Sequence, residues 1–349
     1  MSIYLKILTR AFALFAVLII FQLIYQRYYF KNDLRKYSPV FSQIEKLSDD
    51  CRVLYLAESS NAATPKSDSD RRRISEMAND YFSMLPICAI DHGAFHAGNY
   101  RYILENIPDT LNIETVVVTM NYRSFGYNWI YSSLETSLRK HMIFLHKRPK
   151  LINKIILAFR AYPIHTEDEW EEKMLRKWDR DKLNIPDFKY YSTREWDRRM
   201  WSEGIRLPDG SKDRSKTEMA CHLIKNYGFR IHGRKNPRVR DFDYMVKLAE
   251  KRNWNLVFNL LADNIMLSEE LVGKELCSLM KENRDYLVDR YSSKGVMVVD
   301  NFESVPDSLF FERDWPTEHY SEAGRKIIAR NLADSLRTFY PENYLKGGI

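Results

Sequence analysis

Five short apolar runs, Val53 to Leu56, Ile87 to Ile90, Val116 to Met120, Leu256 to Leu261 and Val296 to Val299, constrain this chain more than any other feature. None shows the alternation of apolar and polar positions that marks a strand with one face in water, so both faces of each must be covered. Longer amphipathic segments lie between them: Asp70 to Leu85, Asn99 to Ile107, Ser268 to Tyr291 and Ser321 to Phe339. Strands buried on both faces and alternating with helices build a parallel sheet between two helical layers. The predicted fold class is α/β: a three-layer α/β/α sandwich around a parallel sheet of about five strands.

One interval breaks this rhythm. About 130 residues separate the third run from the fourth, where a crossover helix needs only about a dozen. An insertion or subdomain is predicted at about 130–240, opening with helices over Ser133 to Leu145 and Leu151 to Ala161. Trp170, Trp178, Trp196 and Trp201 all fall in its charged, aromatic remainder. Such residues suit a sugar-binding groove, but tryptophans in a charged helical segment also pin that segment to its host, which is the reading preferred here.

The amino terminus follows other rules. Phe12 to Leu23 carries no charge and only Gln22 as a polar side chain, with Lys6 and Arg10 before it and Arg27 and Lys31 after. Counted from Ile7 to Phe30, the stretch is near the roughly 20 residues needed to cross a bilayer. Residues 1–35 are therefore read as a single transmembrane anchor with its flank, and 36–349 as the domain it carries. A cleavable signal is the rival, but no small-residue cleavage site follows the apolar run. Basic residues at both ends leave the orientation open. Lys36 to Ser48 reads as a short amphipathic linker helix.

Fifty-four basic against 47 acidic residues give a formal charge of +7, a weak pointer to anionic head groups or glycans. No nucleic-acid motif is present, and no nucleic-acid partner is expected. Cys51, Cys88, Cys221 and Cys277 include no CxxC pair, which argues against a metal site, and no cofactor is expected. Cys51 opens the first strand and Cys88 lies in the second, so a disulfide is conceivable in an oxidising compartment. Four isolated thiols are the simpler reading.

The chemistry begins at Val53-Leu54-Tyr55-Leu56-Ala57-Glu58-Ser59-Ser60-Asn61, where a strand runs into a serine at the carboxyl edge of the sheet, the edge at which open α/β folds bind ligands. Ser59 is the candidate nucleophile. A serine nucleophile needs a histidine base, and the chain has eight histidines. His319 stands out in Asp314-Trp315-Pro316-Thr317-Glu318-His319-Tyr320-Ser321, on a loop held at a helix start by Ser321.

These blocks resemble the SGNH/GDSL hydrolase superfamily, in which a Gly-Asp-Ser follows the first strand. Here Ala57-Glu58-Ser59 occupies that place, with alanine for glycine. The Asp and His near the family's carboxyl terminus match Asp314 and His319, with two extra residues between them. The family's Asn after a central strand matches Asn121, and its glycine after the second strand matches Gly98, with Gly93 as the alternative. The resemblance runs from about Arg52 to Leu336 and leaves the insertion unmatched. It implies Ser59 as nucleophile, His319 as base and Asp314 as the orienting acid, with Glu318 and Asp300 as other choices. Gly98 and Asn121 would then form the oxyanion hole. Arg123 and Asn264 are candidate substrate contacts, against an ion pair and a post-strand turn as their structural roles. His92 and His96 lack a third ligand for a metal.

What the resemblance implies is a serine esterase or O-acyltransferase working through an acyl-serine. Anchored members of the family often modify surface polysaccharides, so the expected substrate is an acyl ester, acetyl foremost, of an extracytoplasmic glycan. The domain is expected on the periplasmic or extracellular side, with envelope-assembly proteins as possible partners. The alternative is a catalytically inactive scaffold in polysaccharide assembly.

Overall fold

All five apolar runs are strands: β1 (Val53–Ala57), β2 (Ile87–Asp91), β3 (Thr115–Met120), β4 (Asn255–Leu260) and β5 (Met297–Asp300). They form one parallel sheet in the order β2-β1-β3-β4-β5. The computed structural model describes residues 2–38, 40–186 and 188–345. Because side chains alternate across a strand, the runs split by parity. Leu54, Leu56, Val116, Val118, Leu256 and Phe258 enter the core on one face, and Val53, Tyr55, Val117, Val257 and Val299 enter the core on the other.

Helices Ala97–Asn106, Pro237–Arg252 and Lys274–Ser292 contribute to the first of these cores. Helices Ile74–Asn79 and Glu322–Leu336 cover the second and pack on each other. The sheet is thus enclosed on both sides, as uninterrupted apolar runs require. The predicted Asp70–Leu85 helix is shorter in fact. The predicted Ser268–Tyr291 helix is two helices, Ile265–Leu271 and Lys274–Ser292, parted at Gly273, which adopts φ +119°.

Between β3 and β4 the described residues build seven α-helices, from Tyr127–Ile130 to Pro237–Arg252. Trp178 and Trp196 are buried, as docking residues should be, while Trp201 is exposed. Cys51 and Cys88 are joined in a disulfide, whereas Cys221 and Cys277 are free and buried. This departs from the reading of four isolated thiols. Cys51 lies just ahead of β1 and Cys88 within β2, with their Cα atoms 5.9 Å apart, inside the range a disulfide spans.

The first helix, Ile3–Tyr28, is long and apolar enough to cross a membrane, properties that a signal sequence shares. Helices Phe30–Tyr37 and Phe41–Glu45 take the place of the linker helix.

Candidate active site

In a 2-1-3-4-5 sheet the strand order reverses between β1 and β3, and ligands bind outside the carboxyl ends of the strands at that point. Ser59 follows β1 there, in a one-turn 3₁₀ segment, Ser59–Asn61. Asn61 fixes this turn: its amide donates to Asp91 Oδ2 at the end of β2 (2.8 Å), and its Oδ1 accepts from Ser75 N (2.9 Å). The turn that carries Ser59 is thus tied to the end of β2 and to the start of helix Ile74–Asn79.

His319 Nε2 lies 2.9 Å from Ser59 Oγ, a contact spanning 260 positions of sequence. Glu58 Oε2 accepts from the same Oγ at 2.7 Å, so the serine proton has an acceptor on each side. On the far side of the imidazole, Glu312 Oε1 stands 3.0 Å from Nδ1, oblique to the ring N–H. Burial raises the Glu312 carboxyl, but His319 and Thr317 outweigh it and hold the group below its ordinary value, favouring the carboxylate.

The acid beside the base is therefore Glu312, where the sequence spacing points to Asp314. A short hairpin explains the change. Phe310 and Tyr320 bridge antiparallel, and Phe311 N donates to His319 O, so the chain doubles back around Trp315-Pro316. This places residue 312 beside 319, while Asp314 sits exposed near the tip. Neither alternative acid takes the role. Glu318 is turned inward, and Asp300 pairs with Arg284.

Glu318 accepts from Asn121 Nδ2 and from Arg123 Nη2, each at 2.7 Å, and Arg123 Nη1 donates to Pro316 O at 2.7 Å. Arg123 is buried, with its guanidinium 4.7 Å from the Trp129 ring centre. A desolvated guanidinium takes the carboxylate within reach, so Arg123 braces the histidine loop where a substrate contact was expected. Burial pushes the Glu318 carboxyl up and Arg123 pulls it back, while Asp263 beside it is raised well above the usual range by burial and by Glu318.

Two other expected contacts are structural. Asn264 caps helix Ile265–Leu271, accepting from Leu267 N at 3.1 Å, and donates to Asp307 at 2.7 Å. Gly98 N is occupied: it donates to His96 Nδ1 at 3.0 Å as part of the cap on helix Ala97–Asn106. Burial holds the His96 ring below the ordinary histidine value, which leaves Nδ1 free to accept. Ala94, four residues earlier, adopts φ +65° and lines a cavity with Ser59. Positive φ is uncommon for a residue with a Cβ, and such backbone clusters at functional sites. Among the described residues, no cluster of three or more His, Cys, Asp or Glu could hold a metal.

The cavity, about 630 Å³, is walled by Trp129, Tyr131, Trp170 and Trp315, with Glu167 and Glu171 at one side, and contains Ser59 and His319. Trp129, Tyr131 and Trp170 come from the segment between β3 and β4. Trp170 is thus both a buried docking residue and a wall of the site. Sequence reasoning missed Glu312 and Ala94; the Trp315-Pro316 turn was the available signal for the first.

No family model matches the chain, and no curated protein matches it by sequence. Solved structures do. A GDSL-like lipase from Bacteroides thetaiotaomicron is 7% identical with TM-score 0.39, over 88% of this chain and 99% of that one. A lipase/acylhydrolase from Enterococcus faecalis is 7% identical with TM-score 0.37, over 82% and 96%. A third, described as a putative acylhydrolase from Bacteroides fragilis, is 9% identical with TM-score 0.37, over 85% and 94%. This chain is similar to GDSL-like hydrolases.

Proposed function

We propose that the protein is a serine-dependent esterase or O-acyltransferase that handles acyl esters of an extracytoplasmic glycan through an acyl-serine. The observation that carries this reading is the row Ser59 Oγ, His319 and Glu312, with contacts of 2.9 Å and 3.0 Å. His319 Nε2 takes the serine proton as Oγ attacks the ester carbonyl, and the Glu312 carboxylate steadies the imidazolium that forms. The proton then passes from His319 to the departing alcohol. Water or a second hydroxyl resolves the acyl-serine, giving hydrolysis or transfer.

For the oxyanion we assign Ala94 N–H and the amide hydrogen of Asn121 that Glu318 does not take. The aromatic wall offers flat faces for a sugar ring. The Cys51–Cys88 disulfide and the apolar first helix favour an anchored domain in an oxidising compartment outside the cytoplasm.

The test is labelling by a fluorophosphonate probe together with turnover of p-nitrophenyl acetate. Intact protein should label, and Ser59→Ala should abolish labelling and reduce turnover by roughly 10⁴-fold or more. Intact protein that does not label, or label that persists in Ser59→Ala, counts against the assignment and supports the scaffold alternative. Comparing surface-glycan ester content with and without Ser59 then separates transfer from removal.

A further inference from the structure

The segment from 136 to 166 contains seven basic residues, Arg139, Lys140, Lys147, Arg148, Lys150, Lys154 and Arg160, and no acidic residue. Its middle forms helix Lys150–Ala158, which is amphipathic in an unusual sense. Asn153 is buried and Leu157 packs against the core, yet Ile152, Ile155 and Phe159 face outward, with Phe159 80% exposed. Their spacing of three and four residues places all three on one stripe.

This helix is tied to the end of the apolar first helix. Leu151 N donates to Gln22 Oε1 at 2.7 Å, and Lys154 Nζ meets Asp33 at 2.7 Å in the helix that follows. Lys150 Nζ lies 5.1 Å from the Phe30 ring centre. Gln22 precedes the flanking Arg27 by five residues, about 7.5 Å along a helix. The exposed stripe therefore sits at the depth where the apolar helix gives way to charged residues. Beside it lies a cleft of about 280 Å³, lined by Tyr37, Lys140, Lys154, Arg160 and Tyr162 among others and by no acidic side chain.

We propose that residues 147–160 are a second membrane contact: Ile152, Ile155 and Phe159 enter the boundary between head groups and acyl chains, and Lys140 and Arg160 hold a lipid phosphate in the adjacent cleft. The occupant is an anionic bilayer. An excess of positive charge around an apolar stripe, with Lys140 and Arg160 beside the Lys154–Asp33 pair, matches that surface, and continuity with the first helix fixes its level. The inference rests on that helix crossing the bilayer. Helix Leu134–Leu145 runs from the cavity rim at Leu134 towards this patch over 12 residues, about 18 Å, which holds the catalytic cavity close to lipid.

The experiment uses the full chain carrying Phe159→Cys labelled with an environment-sensitive fluorophore, in phosphatidylglycerol vesicles with or without lipids bearing a shallow nitroxide. Cys221 and Cys277 are buried, and an exposed Ser293→Cys label is the control. Co-flotation with the vesicles reports the first helix separately. The expected result is flotation, with emission at position 159 shifted to the blue and quenched roughly twofold or more while position 293 is unchanged. Lys140→Gln with Arg160→Gln should lower that quenching. A chain that fails to float overturns the proposal by removing its anchor. A floated chain whose label stays solvent-like overturns the second contact alone. A blue shift without nitroxide quenching means that a protein covers the face, and also overturns it.

Discussion

Arg123 and Glu318 form an ion pair with Nη2 and Oε2 2.7 Å apart, in which the two side chains are only 5% and 1% exposed. Glu318 immediately precedes His319, the proposed base, and Arg123 follows β3 by three residues. The pair therefore couples the base to the centre of the sheet, and its worth is best read from what happens when half of it is removed.

Arg123→Met should destabilise the fold by about 3–5 kcal/mol, because it strands a buried carboxylate. Chemical denaturation measures this. Pairing it with Glu318→Gln should recover most of the loss, since the orphaned charge is then gone. A double variant no more stable than Arg123→Met would show that the pair is not the reason.

Glu312→Gln should lower kcat for p-nitrophenyl acetate by roughly 10²–10⁴-fold, as loss of the acid beside a catalytic histidine does. Asp314→Asn should leave kcat unchanged. The reverse ranking would return the role to Asp314.

That contrast also marks where the sequence can be read and where it cannot. The strands were legible because burial on both faces demands unbroken apolar runs, and Ser59 and His319 because each sits where an element begins or ends. Glu312 was hidden because its approach to His319 depends on a hairpin whose only regular pairing is a single bridge, Phe310 with Tyr320. Gly98 misled for a related reason. A helix start has free N–H groups in principle, but His96 claims the one at Gly98, a contact that only side-chain placement reveals.

Acid should unfold the protein through Glu135, which pairs with Arg238 and lies 3.2 Å from His96. Burial raises its carboxyl, but Arg238 and His96 prevail and hold it at about 2, against 4.5 for the free group. The folded state thus prefers the carboxylate. Its contribution, about 3 kcal/mol, is complete above pH 4.5 and is lost as the pH falls towards about 2. Unfolding free energy measured across this range should fall less steeply in Glu135→Gln, which starts from lower stability at neutral pH.

Reducing the Cys51–Cys88 bond should cost about 4 kcal/mol, the chain-entropy value for a loop of 37 residues. Thermal melts with and without reductant measure this. Cys51→Ser should match the reduced protein, and reductant should not affect that variant further.

The pairing of β3 with β4 sets Thr115 against Asn255, so two neighbouring strands at the middle of the sheet are 140 positions apart in the chain. Contacts this distant are slow to form, because the intervening loop must close before the pairing can stabilise it. Strands β1, β2 and β3 can assemble from the first 120 residues, whereas β4, β5 and the His319 hairpin must wait for the rest. Ser59 therefore meets His319 only after β4 and β5 have joined the sheet, and a chain emerging from synthesis carries Ser59 without that partner until residue 319 has been made.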